Sequence, residues 1–270
     1  MSLQDRVLFI TGATRGIGRA IALRLAREGV HICLASKTAQ PHPRLPGTLA
    51  SVAAEIEALG VKALPIQLDV RDAVGVDAAL AACAEHFGGV DLVVNNASAI
   101  QLTNAQSTPM KRFDLMHQVN VRGTYCVTRA ALPWLLKSDH AHVLTLSPPL
   151  NLDPKWFANH TAYTMSKYGM SMVTLGLAAE LSGRVAVNSL WPRTTIATAA
   201  VEMLGGEALM RCSRKPAIMA DAAAVILAAP PEQRSGQFLI DDEVLRSAGI
   251  DDLSGYAVDP SAELAPDLFI

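Results

Sequence analysis

The 270-residue sequence predicts a single-domain α/β fold, a doubly wound parallel sheet of about seven strands with helices on both faces. Three observations carry that reading. Short apolar, β-branched runs alternate with longer segments whose apolar residues recur at helical spacing. A glycine-rich turn, Thr11-Gly12-Ala13-Thr14-Arg15-Gly16-Ile17-Gly18, stands between the first β-like run and the first helical one. Half of the residues are hydrophobic, which is enough to fill a core on both sides of a sheet and makes one domain the economical reading at this length.

In order along the chain, strands are expected over 7–11, 31–36, 63–69, 91–97, 142–147, 185–191 and 237–240. Helices are expected to begin near 19, 49, 74, 110 and 161, with a long one spanning 110–136. The glycine turn between strand and helix is a dinucleotide phosphate site: glycines let the backbone approach a pyrophosphate at the helix N-terminus. After the second strand, Ala35-Ser36-Lys37 lacks the acid that an NAD site places against the ribose 2′-hydroxyl. Lys37 and Arg15 instead offer two cations to a 2′-phosphate, so NADP(H) is preferred, with NAD(H) the alternative. The proline-punctuated stretch 38–48 excludes a helix or a central strand and is expected to loop beside the adenosine end.

The helical segment Thr161-Ala162-Tyr163-Thr164-Met165-Ser166-Lys167 puts Tyr163 and Lys167 four residues apart, on one face and one turn from each other. An ammonium beside a phenol favours its ionised form, which makes the pair a candidate proton donor and acceptor. Ser147 closes the fifth strand, at the sheet end where ligands bind in such folds.

Taken together, the glycine turn, Asn95-Asn96-Ala97-Ser98, Asn120, Ser147 and Tyr163-x-x-x-Lys167 resemble the short-chain dehydrogenase/reductase family over roughly residues 5–241. The resemblance implies a Rossmann-type oxidoreductase that moves hydride between NADP(H) and a carbonyl/secondary alcohol pair. It also implies the roles. Tyr163 exchanges the proton, Ser147 steadies the substrate oxygen beside it, Lys167 lowers the tyrosine pKa and holds the ribose, and Asn120 holds a water that links Lys167 to solvent. Cofactor contacts carry over to Gly12, Thr14, Arg15, Gly16, Ile17, Gly18, Ser36, Lys37, Asp69, Val70, Asn96, Ala97, Tyr163, Lys167, Pro192, Ile196 and Thr198. Asp69 with Val70 would recognise adenine, although an Asp there also suits a helix N-cap.

Two departures stand out: Ser98 and Arg193 occupy positions where most relatives have glycine. Sixteen positions separate Ser147 from Tyr163, a few more than usual, and the extra residues bring Trp156 and Phe157. These aromatics, with Met203 in an apolar segment beyond the sixth strand, are the expected substrate wall; an ordinary surface loop packing inward is the competing reading. Segments 35–40, 147–152, 167–172 and 199–206 resemble the hydroxysteroid dehydrogenase-like group, whose longer members carry a sterol-carrier domain that this chain has no room for. Related enoyl reductases separate Tyr and Lys by six residues, and the matching position is Met170, which favours a carbonyl over an enoyl substrate.

A formal charge of −2 gives no pull towards nucleic acid. Cys33, Cys83, Cys126 and Cys212 lack metal-ligand or redox spacing and are expected as free thiols, with no metal. No signal core and no apolar run of about 18 residues is present, which leads to the expectation of a cytoplasmic protein without a membrane span. The expected partners are a lipophilic small molecule and, by family habit, further copies in a homodimer or homotetramer. The tail 242–270 departs from the family pattern and is expected as an extension that docks on a neighbouring subunit. Two rival functions remain at this point: a low-turnover, cofactor-dependent lipid-binding or carrier protein, and an NAD-linked alcohol dehydrogenase.

Overall fold

The computed structural model describes residues 2–40 and 47–270. Its sheet has seven parallel strands in the order β3-β2-β1-β4-β5-β6-β7. These are β1 Val7–Thr11, β2 His31–Ser36, β3 Ala63–Gln67, β4 Leu92–Asn95, β5 His142–Thr145, β6 Ala186–Trp191 and β7 Phe238–Ile240. The order reverses between β1 and β4, so the crevice of a doubly wound sheet opens there.

Along each central strand the side chains alternate between two apolar layers. Leu8, Ile10, Ile32, Leu34, Leu92, Val94 and Leu144 face one core, shared with α1 Gly16–Ala26, α2 Leu49–Glu57 and α8 Ala217–Ala228. Val7, Phe9, Cys33, Val93, Val143 and Val187 face the other, against α3 Ala73–Phe87, α5 Gly123–Leu135 and α6 Thr161–Glu180. On α8 alone, Ile218, Met219, Ile226 and Leu227 are essentially solvent-free, each worth about 1.5–3 kcal/mol of apolar burial.

The expected long helix over 110–136 is three pieces: α4 Met110–Met116, a π-helical turn His117–Arg122, and α5. Beyond β6, α7 Ala199–Arg211 carries a backbone break at Gly206, whose φ is 61°, and α9 Asp241–Ser247 follows β7 directly. Cys33, Cys83 and Cys126 are buried and all four cysteines are free. Among the described residues no helix is long and apolar enough to cross a membrane. Residues 41–46 of the expected 38–48 loop lie outside the described residues; of its flanks, Thr48 caps α2 in a reciprocal pair with Ser51.

Residues 242–270 do not reach away from the molecule. They fold back on their own chain, and 265–269 cross the carboxyl ends of the strands beside β6. A third apolar cluster sits there, made of Met116, Tyr163, Tyr168, Trp191, Ile240 and Phe269.

Candidate active site

The glycine turn is built against the end of β4. Asn96 Nδ2 donates to Thr11 O and Gly12 O, both at 2.9 Å, while Thr11 Oγ1 accepts from the backbone N–H groups of Asn96 and Ala97 at 3.1 Å. Gly12 and Gly16 adopt φ of 69° and 55°, the left-handed region in which a Cβ is strained. A Cβ on Gly18 would lie 2.6 Å from Gly12 O and closer still to Asn96 Nδ2. A Cβ on Gly16 would meet Thr198 Cγ2 at 3.3 Å, so the turn also faces the N-cap of α7. The backbone amides that open α1 therefore lie in a cradle kept clear of side chains, which is the fit a dinucleotide pyrophosphate requires. Ile196 and Pro192 are buried beside it and Ile17 is half-buried.

At the far end of this cradle Arg15 Nη2 donates to Thr38 Oγ1 at 2.8 Å, whereas Arg15 Nη1 is buried with no partner among the described residues. Thr14 and Ser36 share a hydroxyl contact at 3.4 Å. Lys37 does not stand free beside Arg15: its Nζ lies 3.4 Å from Asp69 Oδ2. Asp69 is held first by Arg71, through both carboxylate oxygens, which keeps its carboxyl well below the usual carboxylate range. The N-cap role considered for Asp69 belongs instead to Asp72, which accepts from Val74 N at 3.1 Å. Val70 is buried next to Gly123.

Tyr163 and Lys167 lie on the buried face of α6. Lys167 Nζ donates to Leu146 O at 2.6 Å, contacts Met170 Sδ at 3.4 Å and sits 4.9 Å from the centre of the Trp191 ring. Burial brings the Lys167 ammonium down to about 7, opposed by the charge of Asp267. The expected lowering of the tyrosine pKa by lysine is not what the structure gives. Burial, followed by the Asp267 charge, raises the Tyr163 phenol above its ordinary value. The Tyr163 hydroxyl has no hydrogen-bond partner among the described residues.

Ser147 lies two residues past β5. Its hydroxyl shares a 2.8 Å bond with Ser189 on β6, and Ser189 shares another of 2.8 Å with Thr174 on α6. Asn120 lies in the π turn and is fully buried. It donates to Ala99 O at 3.0 Å and Ser166 Oγ at 2.9 Å, and accepts from Ala99 N at 2.7 Å and Ser98 Oγ at 3.2 Å. Ser98, in the usual glycine position, thus braces Asn120. Arg193, in the other, is turned away: its Nε donates to both oxygens of Asp242 at 2.9 and 3.0 Å and clasps α9.

Of the expected wall, Trp156 and Phe157 do belong to the aromatic cluster, with ring centres 5.8 Å from Phe269 and 5.5 Å from Tyr168. Met203 does not: it is 70% exposed on the solvent side of α7. Asp267 was not foreseen. Burial pushes its carboxyl up to about 7, and Lys167 is the cation that opposes this. Ser98 had a signal in its departure from glycine; Ser166, Ser189, Thr174, Asp267 and Phe269 had none, because their partners are set only by the fold.

The family model for short chain dehydrogenase matches residues 6–206, which contain the cradle and the Ser147, Tyr163 and Lys167 cluster. The chain belongs to the short-chain dehydrogenase family. It is similar to hydroxysteroid dehydrogenase-like protein 2 of Xenopus tropicalis, 55% identical over 263 residues and 97% of this chain. It spans 63% of that relative's length. Among solved structures it is similar to a putative dehydrogenase from Xanthomonas campestris, at 54% identity and a TM-score of 0.97, covering 100% of this chain and 99% of that one. A short chain dehydrogenase of Mycobacterium thermoresistibile matches at 49% identity and a TM-score of 0.94, covering 100% and 96%. The short-chain dehydrogenases are oxidoreductases that bind nicotinamide cofactors, and the cradle on β1 and α1 fits such a group.

Proposed function

We propose that this chain is an oxidoreductase that exchanges hydride between NADP(H) and a lipophilic carbonyl or secondary alcohol, with Ser147, Tyr163, Lys167 and Asn120 as its working residues. The observation that carries the reading is the convergence of the Tyr163/Lys167 face of α6 with Ser147 and the Asn120 network at the carboxyl ends of the strands, beside the glycine cradle. The nicotinamide supplies the hydride chemistry when bound. The residues of the chain bind, orient and handle the proton. A phenol held protonated by burial is the form that donates to a carbonyl oxygen, so Tyr163 is poised for reduction. Ser147, its hydroxyl oriented through Ser189 and Thr174, donates to the same oxygen as charge grows on it. Lys167 supplies the nearby positive charge, and Asn120 fixes the loop at Ala99 against α6.

Support for NADP(H) over NAD(H) comes from Arg15 Nη1, a buried guanidinium nitrogen beside the end of β2 without a partner among the described residues. A 2′-phosphate would accept from it, and an exposed Lys37 released from Asp69 would add a second cation. An apolar aromatic cluster around Tyr163 supports a lipophilic substrate. We assign residues 5–241 as the catalytic core and 242–270 as an extension that completes the site. Exposed Tyr125 on α5 and Met165, Met172 and Leu175 on α6 form an apolar face suited to a homodimer or homotetramer.

Two titrations test the reading. NADPH is expected to bind at least about tenfold tighter than NADH, with the preference lost in the Arg15→Ala, Lys37→Ala double variant. Tyr163→Phe is expected to abolish NADPH-dependent ketone reduction with NADPH affinity retained; a variant that turns over normally removes Tyr163 from the mechanism.

A further inference from the structure

Residues 265–269 form a strap over the catalytic end of the sheet. Thr195 N donates to Ala265 O at 3.0 Å, Ala265 N to Cys212 O at 2.8 Å, and Asp267 N to Arg193 O at 3.1 Å. Trp191 Nε1 then donates to Leu268 O at 2.8 Å. Four bonds thus tie the strap to the end of β6 and to the segments that follow β6 and α7. They deliver the Phe269 ring, 1% exposed, into a cage. Its centre lies 5.3 Å from Tyr168, 5.8 Å from Trp156, 5.9 Å from Trp191 and 6.3 Å from Tyr163, the last at an interplanar angle of 29°. Phe269 takes φ of 77°, a left-handed backbone that a non-glycine residue adopts only when its surroundings impose it. The strap is therefore held in a costly conformation in order to seat this one ring.

The neighbours of the ring decide what it does. Tyr163 is the proposed proton donor and its hydroxyl has no partner among the described residues, while the ring below that hydroxyl is covered by Phe269. Trp156 comes from the extra residues between Ser147 and Tyr163, and Trp191 lies under Lys167 Nζ. A carbonyl presented to the proposed donor Tyr163 would rest its carbon skeleton against this cluster. We infer that Phe269 is a specificity-determining residue: its ring is the wall that limits the size of the carbonyl skeleton admitted beside Tyr163. This rests on the proposed carbonyl chemistry.

The test separates the two. In a Tyr163→Phe background, which keeps the stacked ring and removes turnover, binding of cyclohexanone and of the bicyclic 1-decalone is followed by quenching of tryptophan fluorescence with the cofactor saturating. Phe269→Ala is expected to raise the affinity for 1-decalone over cyclohexanone by about tenfold or more, and Phe269→Leu by less. An unchanged ratio in both variants, each melting as a single cooperative transition, overturns the inference; should the alanine variant fail to fold, the leucine variant decides alone. Reduction of the same ketones by the chain with Tyr163 intact tests the underlying reading. A shifted binding ratio without any reduction keeps Phe269 as the wall and removes the carbonyl reductase, whereas reduction with an unshifted ratio does the reverse.

Discussion

A single methyl group at Gly18 should damage both the fold and the cofactor site. Gly18 lies in α1, where alanine is intrinsically better than glycine by about 0.8–1.0 kcal/mol. That gain is outweighed by what the methyl meets. It would stand 2.6 Å from Gly12 O, closer still to Asn96 Nδ2, and 3.0 Å from Asn96 Cγ. Asn96 must then give up its two 2.9 Å bonds to Thr11 O and Gly12 O, at about 1 kcal/mol each. Forced displacement in a packed site adds about 1–3 kcal/mol. The net cost is about 2–4 kcal/mol, or a fall in Tm of roughly 4–16 °C for a chain of this size. Thermal unfolding by circular dichroism measures it, with an NADPH titration alongside, since the same shift closes the pyrophosphate cradle. Gly176→Ala is the control: it too lies in a helix, α6, and its added Cβ meets nothing within 4 Å, so only the helix gain remains. Gly18→Ala melting at or above the wild-type temperature, with NADPH affinity intact, refutes the steric argument.

Ser189→Ala removes the hydroxyl that orients Ser147 and is expected to lower kcat several-fold with KM little changed, while Ser189→Thr restores part of it; equal losses in both variants would mean simple disruption of β6. Asp241 supplies a pH dependence. Burial pushes its carboxyl up to about 6 from 3.8, so the folded state holds the proton longer than the unfolded one. The stability from this group is complete below about pH 4 and is lost as pH rises through about 6, roughly 3 kcal/mol in all. Asp241→Asn keeps an acceptor for Arg193 N and Asp242 N and should flatten urea-unfolding stability between pH 4 and 6; an unchanged slope sinks the assignment. Thr48→Ala breaks the reciprocal cap of α2 and is expected to cost about 1 kcal/mol without affecting NADPH binding, as read from the urea midpoint.

The sheet was legible because its strands are buried on both faces, so residues such as Val7-Leu8-Phe9-Ile10 are apolar without interruption and bounded by turn chemistry. The glycine turn was legible for a related reason: Gly12, Gly16 and Gly18 each serve a local need, a left-handed φ or a close backbone approach. Pairs one helical turn apart, such as Tyr163 and Lys167, could also be read, since α6 alone sets their relation. What could not be read are relations made by tertiary packing. The tyrosine pKa turned on burial and on Asp267, about a hundred residues away, and no local pattern marks such a partner. Ser147 was placed at the right end of the right strand, but its partner Ser189 lies on the next strand over. Lys37 carries the expected charge; its pairing with Asp69 depends on β2 and β3 lying side by side. Met203 stands exposed outside the aromatic cluster, because an apolar residue at helical spacing does not say which side of the helix meets the protein.

The π turn at His117–Arg122 works as a vernier between two helices. An α-helix advances about 100° per residue, so an ordinary helix drawn from Met110 and the real chain disagree in phase by the time they reach α5. Asn120 uses that offset to point at Ala99 and Ser166, and Cys126, Val127 and Ala131 use it to meet the sheet. Removing one residue would close the wide turn into an ordinary α-helical one, leaving α5 nearly in phase but changing where Asn120 points relative to Ala99 and Ser166. Length, as well as identity, is therefore under constraint in this stretch, and a chain in which every residue around it was preserved but one was deleted would lose the placement of Asn120.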